Sequence, residues 1–208
     1  MALIVMILGS ASAAAAERPV IVAFGDSLTQ GYGLAEMDGF VPQLRGWLTD
    51  AGIEADVINA GVSGDTTAGG AARIDWTLTE DVDAIIVTLG GNDLLRGIDP
   101  AVSRSNMEAI VSAATGKDLD VLIVGMTAPG NFGADYKTAF DAIYPDLAEA
   151  YGTVYAPSFF MGFTDGGADV NPALVQQWMQ PDGIHPNAEG VARIVDALGP
   201  FVAELVTP

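Results

Sequence analysis

The sequence lacks cysteine and contains a single histidine, His185, among its 208 residues. Without cysteine there can be no disulfide, no thiolate nucleophile and no thiolate metal site. With one histidine, the usual zinc ligand sets cannot be assembled either. Catalysis by this chain therefore has to use serine, threonine, lysine, tyrosine, carboxylates or a hard metal ion, and we predict no cofactor.

Basic side chains are also scarce, since 8 lysines and arginines stand against 27 acidic residues and the formal net charge is −19. Nucleic acids and anionic membrane surfaces attract proteins through basic patches, so we predict neither as a partner. Half of the residues are hydrophobic, which is enough for a sizeable core. The length suits one domain, and no linker or repeat follows position 17, so we predict a single domain over 17–208.

The first 16 residues carry no charge and combine a short apolar run over 2–8 with small residues that offer A-x-A cleavage sites. The run is shorter than the roughly 20 apolar residues that a membrane span needs. We therefore predict a signal peptide over 1–16, cleaved between Ala16 and Glu17. The protein is predicted to be periplasmic or secreted, with no stable membrane insertion after cleavage. The signal is atypical because no lysine or arginine precedes the apolar run.

Short runs rich in valine and isoleucine alternate with longer amphipathic segments. Runs that are apolar at successive positions are typical of strands buried on both faces of a parallel sheet. The alternation predicts an α/β fold: a three-layer α/β/α sandwich with a central, mainly parallel five-stranded sheet and right-handed crossovers. The predicted strands are 19–24, 55–60, 83–90, 120–126 and 152–157, and the predicted helices lie near 39–51, 66–80, 100–116, 134–151 and 187–205.

Polar residues follow the strands, at the edge of the sheet where such folds bind ligands. Ser27 follows the first strand in FGDSLTQGYG, NAGVSGDTT follows the second, and Asn92 follows the third in LGGNDLL. Near the carboxyl terminus, DGIHP places Asp182 three residues before His185. Each fragment alone is also compatible with an ordinary turn or a helix cap.

Together and in this order, the four motifs resemble those of the GDSL, or SGNH, hydrolases over about residues 19–200. The forms SGDT (63–66), GGND (90–93) and W-M-Q…DGIHPN (178–187) are most similar to the bacterial periplasmic thioesterase/lysophospholipase/arylesterase group. The resemblance implies a flavodoxin-like SGNH hydrolase fold and hydrolysis of a small-molecule acyl ester or thioester. No G-x-S-x-G surrounds the serine of GDSL, so the nucleophile elbow of the α/β-hydrolases is absent.

The resemblance also implies a role for individual residues. Ser27 would be the nucleophile, His185 the base and Asp182 the residue that orients the imidazole. The backbone N–H groups of Ser27 and Gly64 and the side-chain amide of Asn92 would form an oxyanion hole. These residue types suit the chemistry, because a serine hydroxyl attacks only when a base takes its proton, and the resulting oxyanion needs preorganised donors.

Two segments that follow the third and fourth strands, 94–100 and 127–136, are predicted to roof the pocket. Their apolar side chains suit an acyl chain or an aryl ring, and they offer no cluster of cations for a phosphorylated carrier. Two aromatic residues in the second segment fit ordinary loop packing equally well. The predicted pocket residues are Leu94, Leu95, Ile98, Phe132 and Tyr136.

Two alternatives stay open at this point. A carbohydrate O-acetyl esterase on the same scaffold would use an open groove with sugar-stacking aromatics, for which Trp76 and Trp178 are the candidates. A non-catalytic binding module is the second alternative, and the complete set of motif residues argues against it. The stretch DGGADVN (165–171) contains carboxylates but lacks the twelve-residue EF-hand pattern. We therefore predict a solvated loop there, and no metal.

Overall fold

The computed structural model describes residues 18–164 and 172–207. The predicted signal peptide (1–16) and the predicted solvated loop (165–171) lie outside the described residues. Within the described ranges, we find no helix with the length and hydropathy that crossing a bilayer requires.

Five strands form one parallel sheet in the described part of the chain, in the order β2-β1-β3-β4-β5. All five residues of β3 are buried, as expected of a strand covered on both faces. Every predicted strand is present, and the last three are shorter than predicted. The strands are β1 (Val20–Gly25), β2 (Asp56–Gly61), β3 (Ala84–Thr88), β4 (Asp120–Val124) and β5 (Val154–Ala156).

Helices flank both faces of this sheet. Helices α2 and α9 pack together on one face, and α3, α5 and α7 pack together on the other. The predicted α/β/α sandwich is therefore confirmed. The α-helices of the described residues are α1 (Ser27–Gln30), α2 (Phe40–Asp50), α3 (Thr67–Thr77), α4 (Gly91–Arg96), α5 (Pro100–Thr115), α6 (Ala134–Asp141), α7 (Ile143–Tyr151), α8 (Pro172–Gln177) and α9 (Ala188–Glu204).

The helix predicted over 134–151 is in fact two helices, α6 and α7, separated at Ala142. Pro145 accounts for the break, since it has no N–H to donate to Asp141 and its ring would clash with that carbonyl. At the start of α7 the same proline is tolerated, because the first N–H groups of a helix have no partner within it.

The order of the strands determines where polar loops meet. The chain leaves β1 towards β2 on one side, whereas β3 pairs with β1 on the other side. At the carboxyl end, Gly25 pairs with both Gly61 and Thr88. This reversal creates a crevice between the loops that follow β1 and β3, where α/β sheets bind their ligands.

Candidate active site

Ser27 is the first residue of α1, immediately beyond the carboxyl end of β1. The preceding Asp26 caps this short helix, since its Oδ1 accepts the N–H of Leu28 at 3.0 Å. In the same helix, the hydroxyl of Thr29 hydrogen-bonds with that of Thr88 on β3. A helix of one turn is thus fixed to the sheet, and it holds Ser27 at the crevice.

Two short contacts connect Ser27, His185 and Asp182. The Oγ atom of Ser27 lies 2.9 Å from Nε2 of His185, and Nδ1 of the same ring lies 2.6 Å from Oδ2 of Asp182. The structure therefore brings the hydroxyl near the amino end of the described chain together with the imidazole near its carboxyl end.

Asp182 is fixed within its own loop. Its Oδ1 accepts the backbone N–H groups of Ile184 at 2.9 Å and of His185 at 3.0 Å. Hydrogen bonds from the His185 backbone, the His185 ring and the Ile184 backbone lower the pKa of Asp182 from 3.8 to about 2. An ionised carboxylate only accepts hydrogen bonds, so Nδ1 of His185 carries its proton towards Asp182. In the neutral imidazole, Nε2 is then the acceptor for the Ser27 hydroxyl.

The loop of His185 is attached to the segment after α1. The ring of Tyr32 packs against the imidazole with ring centroids 4.6 Å apart. The side chain of Gln180 donates to the carbonyls of Tyr32 at 2.8 Å and of Pro186 at 2.9 Å. These contacts hold the imidazole over Ser27.

Gly64 lies in a tight turn after β2. The N–H of Asp65 donates to the carbonyl of Val62 at 3.1 Å, and Gly64 has a φ of +82° whereas Ser63 has a negative φ. This is a type II turn, in which the third position requires a positive φ and favours glycine. The guanidinium of Arg96, at the end of α4, donates to the Gly64 carbonyl at 2.8 Å and holds the turn against that helix.

Asn92 lies in the first turn of α4, next to a carboxylate that anchors this helix. The neighbouring Asp93 is buried and accepts the N–H of Thr67 at 2.9 Å, the hydroxyl of Thr67 at 2.6 Å and the hydroxyl of Ser103 at 2.9 Å. Helix α4 is therefore attached to α3 and α5. The Nδ2 atom of Asn92 donates to Oδ2 of Asp26 at 3.2 Å.

A cavity of about 650 Å³ opens beside these side chains. Four of the five residues predicted for the triad and the oxyanion hole border it, namely Ser27, His185, Gly64 and Asn92, whereas Asp182 contacts His185 without bordering the cavity. The predicted pocket residues Leu94, Leu95 and Phe132 form part of its wall. None of the described residues that border it is a lysine or an arginine. Wall residues that the sequence analysis did not identify include Tyr32, Met126, Phe160 and Ile184.

Two predicted pocket residues, Ile98 and Tyr136, do not border the cavity, and that part of the prediction is wrong. The hydroxyl of Tyr136 donates to the carbonyl of Ile98 at 2.9 Å. The ring of Tyr136 packs between Phe132 and Phe140. The hydrogen bond between Tyr136 and Ile98 therefore joins segments 94–100 and 127–136 away from the cavity. Of these aromatic rings, only that of Phe132 borders the cavity.

Neither tryptophan considered for sugar stacking lies at the cavity. Trp178 is 2 % exposed, packs against Phe163, and is covered by the guanidinium of Arg193 at 3.9 Å from the ring centroid. Trp76 on α3 is 82 % exposed but does not border the cavity. The carbohydrate esterase alternative thus loses the residues that suggested it.

Comparison with known proteins agrees with the geometry. The family model described as "GDSL-like Lipase/Acylhydrolase family" matches residues 23–193. The chain is 37 % identical over 194 residues to "Esterase TesA" of Pseudomonas aeruginosa, covering 93 % of this chain and 91 % of the relative. It is 33 % identical over 194 residues to "Thioesterase 1/protease 1/lysophospholipase L1" of Escherichia coli strain K12, covering 92 % of this chain and 87 % of the relative.

A solved structure extends the comparison to the fold. The crystal structure of AlinE4, described as an SGNH-hydrolase family esterase, superposes with a TM-score of 0.72 at 41 % identity. The match covers 94 % of this chain and 100 % of AlinE4. The resemblance predicted from the motifs is confirmed, and the chain belongs to the GDSL-like lipase/acylhydrolase family, as a carboxylic ester hydrolase.

Proposed function

We propose that the protein hydrolyses carboxylic esters and thioesters through an acyl-enzyme formed on Ser27. The observation that carries this proposal is the pair of contacts from Ser27 to His185 at 2.9 Å and from His185 to Asp182 at 2.6 Å, at the wall of an apolar cavity. A hydroxyl, a base and an orienting carboxylate in this order form the arrangement that activates a serine nucleophile.

Each step follows from the positions of the protons. Nε2 of His185 accepts the Ser27 proton as Oγ attacks the carbonyl carbon, and the imidazolium then donates that proton to the departing alcohol or thiol. Water then attacks the carbonyl carbon of the acyl-enzyme while His185 takes its proton. The imidazolium returns that proton to Oγ of Ser27 as the acid departs. The carboxylate of Asp182 stabilises the imidazolium in both halves of the reaction.

The oxyanion is stabilised by the backbone N–H groups of Ser27 and Gly64 and by the amide of Asn92. The type II turn supports the role of Gly64. Relative to a type I turn, it reverses the direction of the peptide group between Ser63 and Gly64, and the N–H of that peptide group is the Gly64 N–H. Removing one such donor typically lowers kcat by about a hundredfold to a thousandfold.

The cavity indicates the substrate class. Its size lies within the range of about 300–1,000 Å³ for small-molecule sites, and its wall is formed largely by apolar side chains. Such a wall accommodates a short or medium acyl chain or an aryl ring. The Escherichia coli relative is named a thioesterase and a lysophospholipase, which supports thioesters and lysophospholipids as further substrate classes for this chain. A non-catalytic binding module would have no use for the hydrogen-bonded Ser27, His185 and Asp182.

The predicted signal peptide supports a periplasmic or secreted location, with residues 17–208 as the mature domain. Expression of the full chain in a bacterium, followed by fractionation and sequencing of the amino terminus, tests this location. We expect the periplasmic or secreted protein to begin at Glu17. An intact amino terminus on a protein retained in the cytoplasm would contradict it.

The reaction is tested with p-nitrophenyl esters of increasing acyl length and with an acyl-CoA. Ser27→Ala is expected to lower kcat for every substrate by more than about a thousandfold without changing the melting temperature. Ser105→Ala, which removes an exposed hydroxyl on α5, is the matched control and should retain full activity. Hydrolysis by purified Ser27→Ala at a rate near that of the native protein would refute the proposal.

A further inference from the structure

Asp26 is a buried carboxylate that takes no part in the proton transfers described above. Asp26 is only 2 % exposed to solvent. Oδ1 accepts the N–H of Leu28 at 3.0 Å, and Oδ2 accepts Nδ2 of Asn92 at 3.2 Å. The same carboxylate therefore caps the helix that carries Ser27 and contacts the amide that is assigned to the oxyanion.

The amide of Asn92 fits its site in two orientations, since its oxygen and its nitrogen are nearly equal in size. Whichever of these two Asn92 atoms faces Asp26 also lies next to the cavity. An ionised carboxylate accepts hydrogen bonds and donates none, so it selects nitrogen for that position. The nitrogen has two hydrogens; one is directed to Oδ2 of Asp26, and the second remains for the cavity. In the reverse orientation a carbonyl oxygen would face the developing oxyanion and repel it.

We propose that Asp26 is a positioning residue that selects the catalytically competent orientation of the Asn92 amide. The inference rests on the proposed function, because orientation matters only if Asn92 stabilises the oxyanion. It assigns to the aspartate of the GDSL motif a role in the oxyanion hole in addition to its cap on Leu28.

The surroundings of Asp26 determine when this selection operates. Burial raises the pKa of Asp26 to about 6, opposed by the hydrogen bonds from Leu28 and Asn92. A positive charge on His185 would favour the ionised form, and the charge of Asp65 opposes it. Above that pH the carboxylate enforces one orientation. Below it, a protonated Asp26 can donate to the Asn92 oxygen, and the amide is free to reverse.

Asp26→Asn isolates the effect because it changes the hydrogen-bonding character of one atom and keeps the shape. Asparagine is a good helix cap, and its oxygen still accepts the buried N–H of Leu28. Its NH₂ group then faces Asn92, whose amide has to turn its oxygen inward. Asn92 is only half-buried, so water can satisfy the displaced NH₂.

A double-mutant cycle in kcat measures the coupling at about pH 8, where Asp26 is ionised. Asn92→Ala in the native background is expected to lower kcat by about a hundredfold, with a much smaller change in KM. Asp26→Asn is expected to lower kcat by a similar factor. In the Asp26→Asn background, Asn92→Ala should cost less than about threefold further, because the donor has already been lost.

Asp83→Asn is the matched control, since Asp83 also accepts a backbone N–H, that of Val20 at 2.8 Å, but is exposed and lies before β3, at the end of the sheet opposite the site. It should retain native kcat. Thermal unfolding of every variant establishes that it is folded.

Two results would overturn the inference: native kcat in folded Asp26→Asn, or the same hundredfold loss from Asn92→Ala in both backgrounds. Both would leave the Ser27 mechanism intact. If Asn92→Ala has native kcat in the native background, the oxyanion role in the proposed function fails, and the inference that rests on it fails with it.

Discussion

Replacing Asp26 by asparagine is expected to change the free energy of unfolding by an amount that depends on pH. In the folded protein, burial raises the pKa of Asp26 from 3.8 to about 6. In the unfolded chain the side chain is solvated and titrates near its ordinary value. A shift of about two units corresponds to about 3 kcal/mol of difference between the two protonation states.

The sign follows from proton binding. Between about pH 4 and pH 6 the folded state holds a proton on Asp26 that the unfolded state has released, so the native protein loses stability as the pH rises. That contribution is complete below the unfolded pKa and is gone above about pH 6. Asparagine has no proton to lose. The stability of Asp26→Asn relative to the native protein should therefore increase by about 2–3 kcal/mol between about pH 4 and pH 7.5.

Urea unfolding of both proteins at several pH values across this range measures the difference. Titrating groups that do not interact with Asp26 contribute equally in both proteins and cancel, and Asp182, with a pKa of about 2 in the folded protein, stays ionised there throughout the range. The variant is thus expected to be more stable and less active at neutral pH. A difference that stays constant across the range to within about 1 kcal/mol would refute the assignment of Asp26 as a buried charge.

Three further variants test the site by steady-state kinetics. Gly64→Ala should lower kcat about tenfold or more. Gly52→Ala is the control, because Gly52 also has a positive φ of +75° and open space around it; it should lose a similar stability of about 1–2 kcal/mol and keep full activity. Equal activities of the two variants would contradict the role of the Gly64 turn in the oxyanion hole. Asp182→Asn should lower kcat by about 10⁴-fold, because the asparagine NH₂ can donate to Nδ1 of His185 and so favour the wrong tautomer of the imidazole. A loss below tenfold would exclude Asp182 as the residue that orients His185. Phe132→Ala should reduce kcat/KM for octanoate more than for acetate, while Tyr136→Phe changes neither; a uniform loss would remove Phe132 from the acyl site.

The sheet was predictable because strands buried on both faces are apolar at successive positions, and each of the five appears in the structure. Their ends were less predictable. The third apolar run continues to Gly90, but Gly90 has a φ of +119° and turns the chain away to begin α4. The short helices α1 and α4 have too few residues to show a helical period, so they were not predicted.

Composition and spacing alone did not identify the site, because each polar fragment could equally form a turn. The order of four motifs identified it, and the structure brings Ser27 and His185 within hydrogen-bonding distance. Tyr32 was missed because its contact with His185 joins distant parts of the chain. Tyr136 was misplaced because the sequence indicates which loop covers a pocket but not which side of that loop faces it.

Covalent labelling tests the central claim, that Ser27 is the nucleophile, most directly. A phosphonofluoridate reacts with an activated serine by forming an Oγ–P bond and releasing fluoride. After incubation to complete loss of activity, mass spectrometry of the intact protein and of its peptides should show one adduct, on Ser27, and none on Ser27→Ala. Complete inactivation with the adduct on another residue would contradict the account.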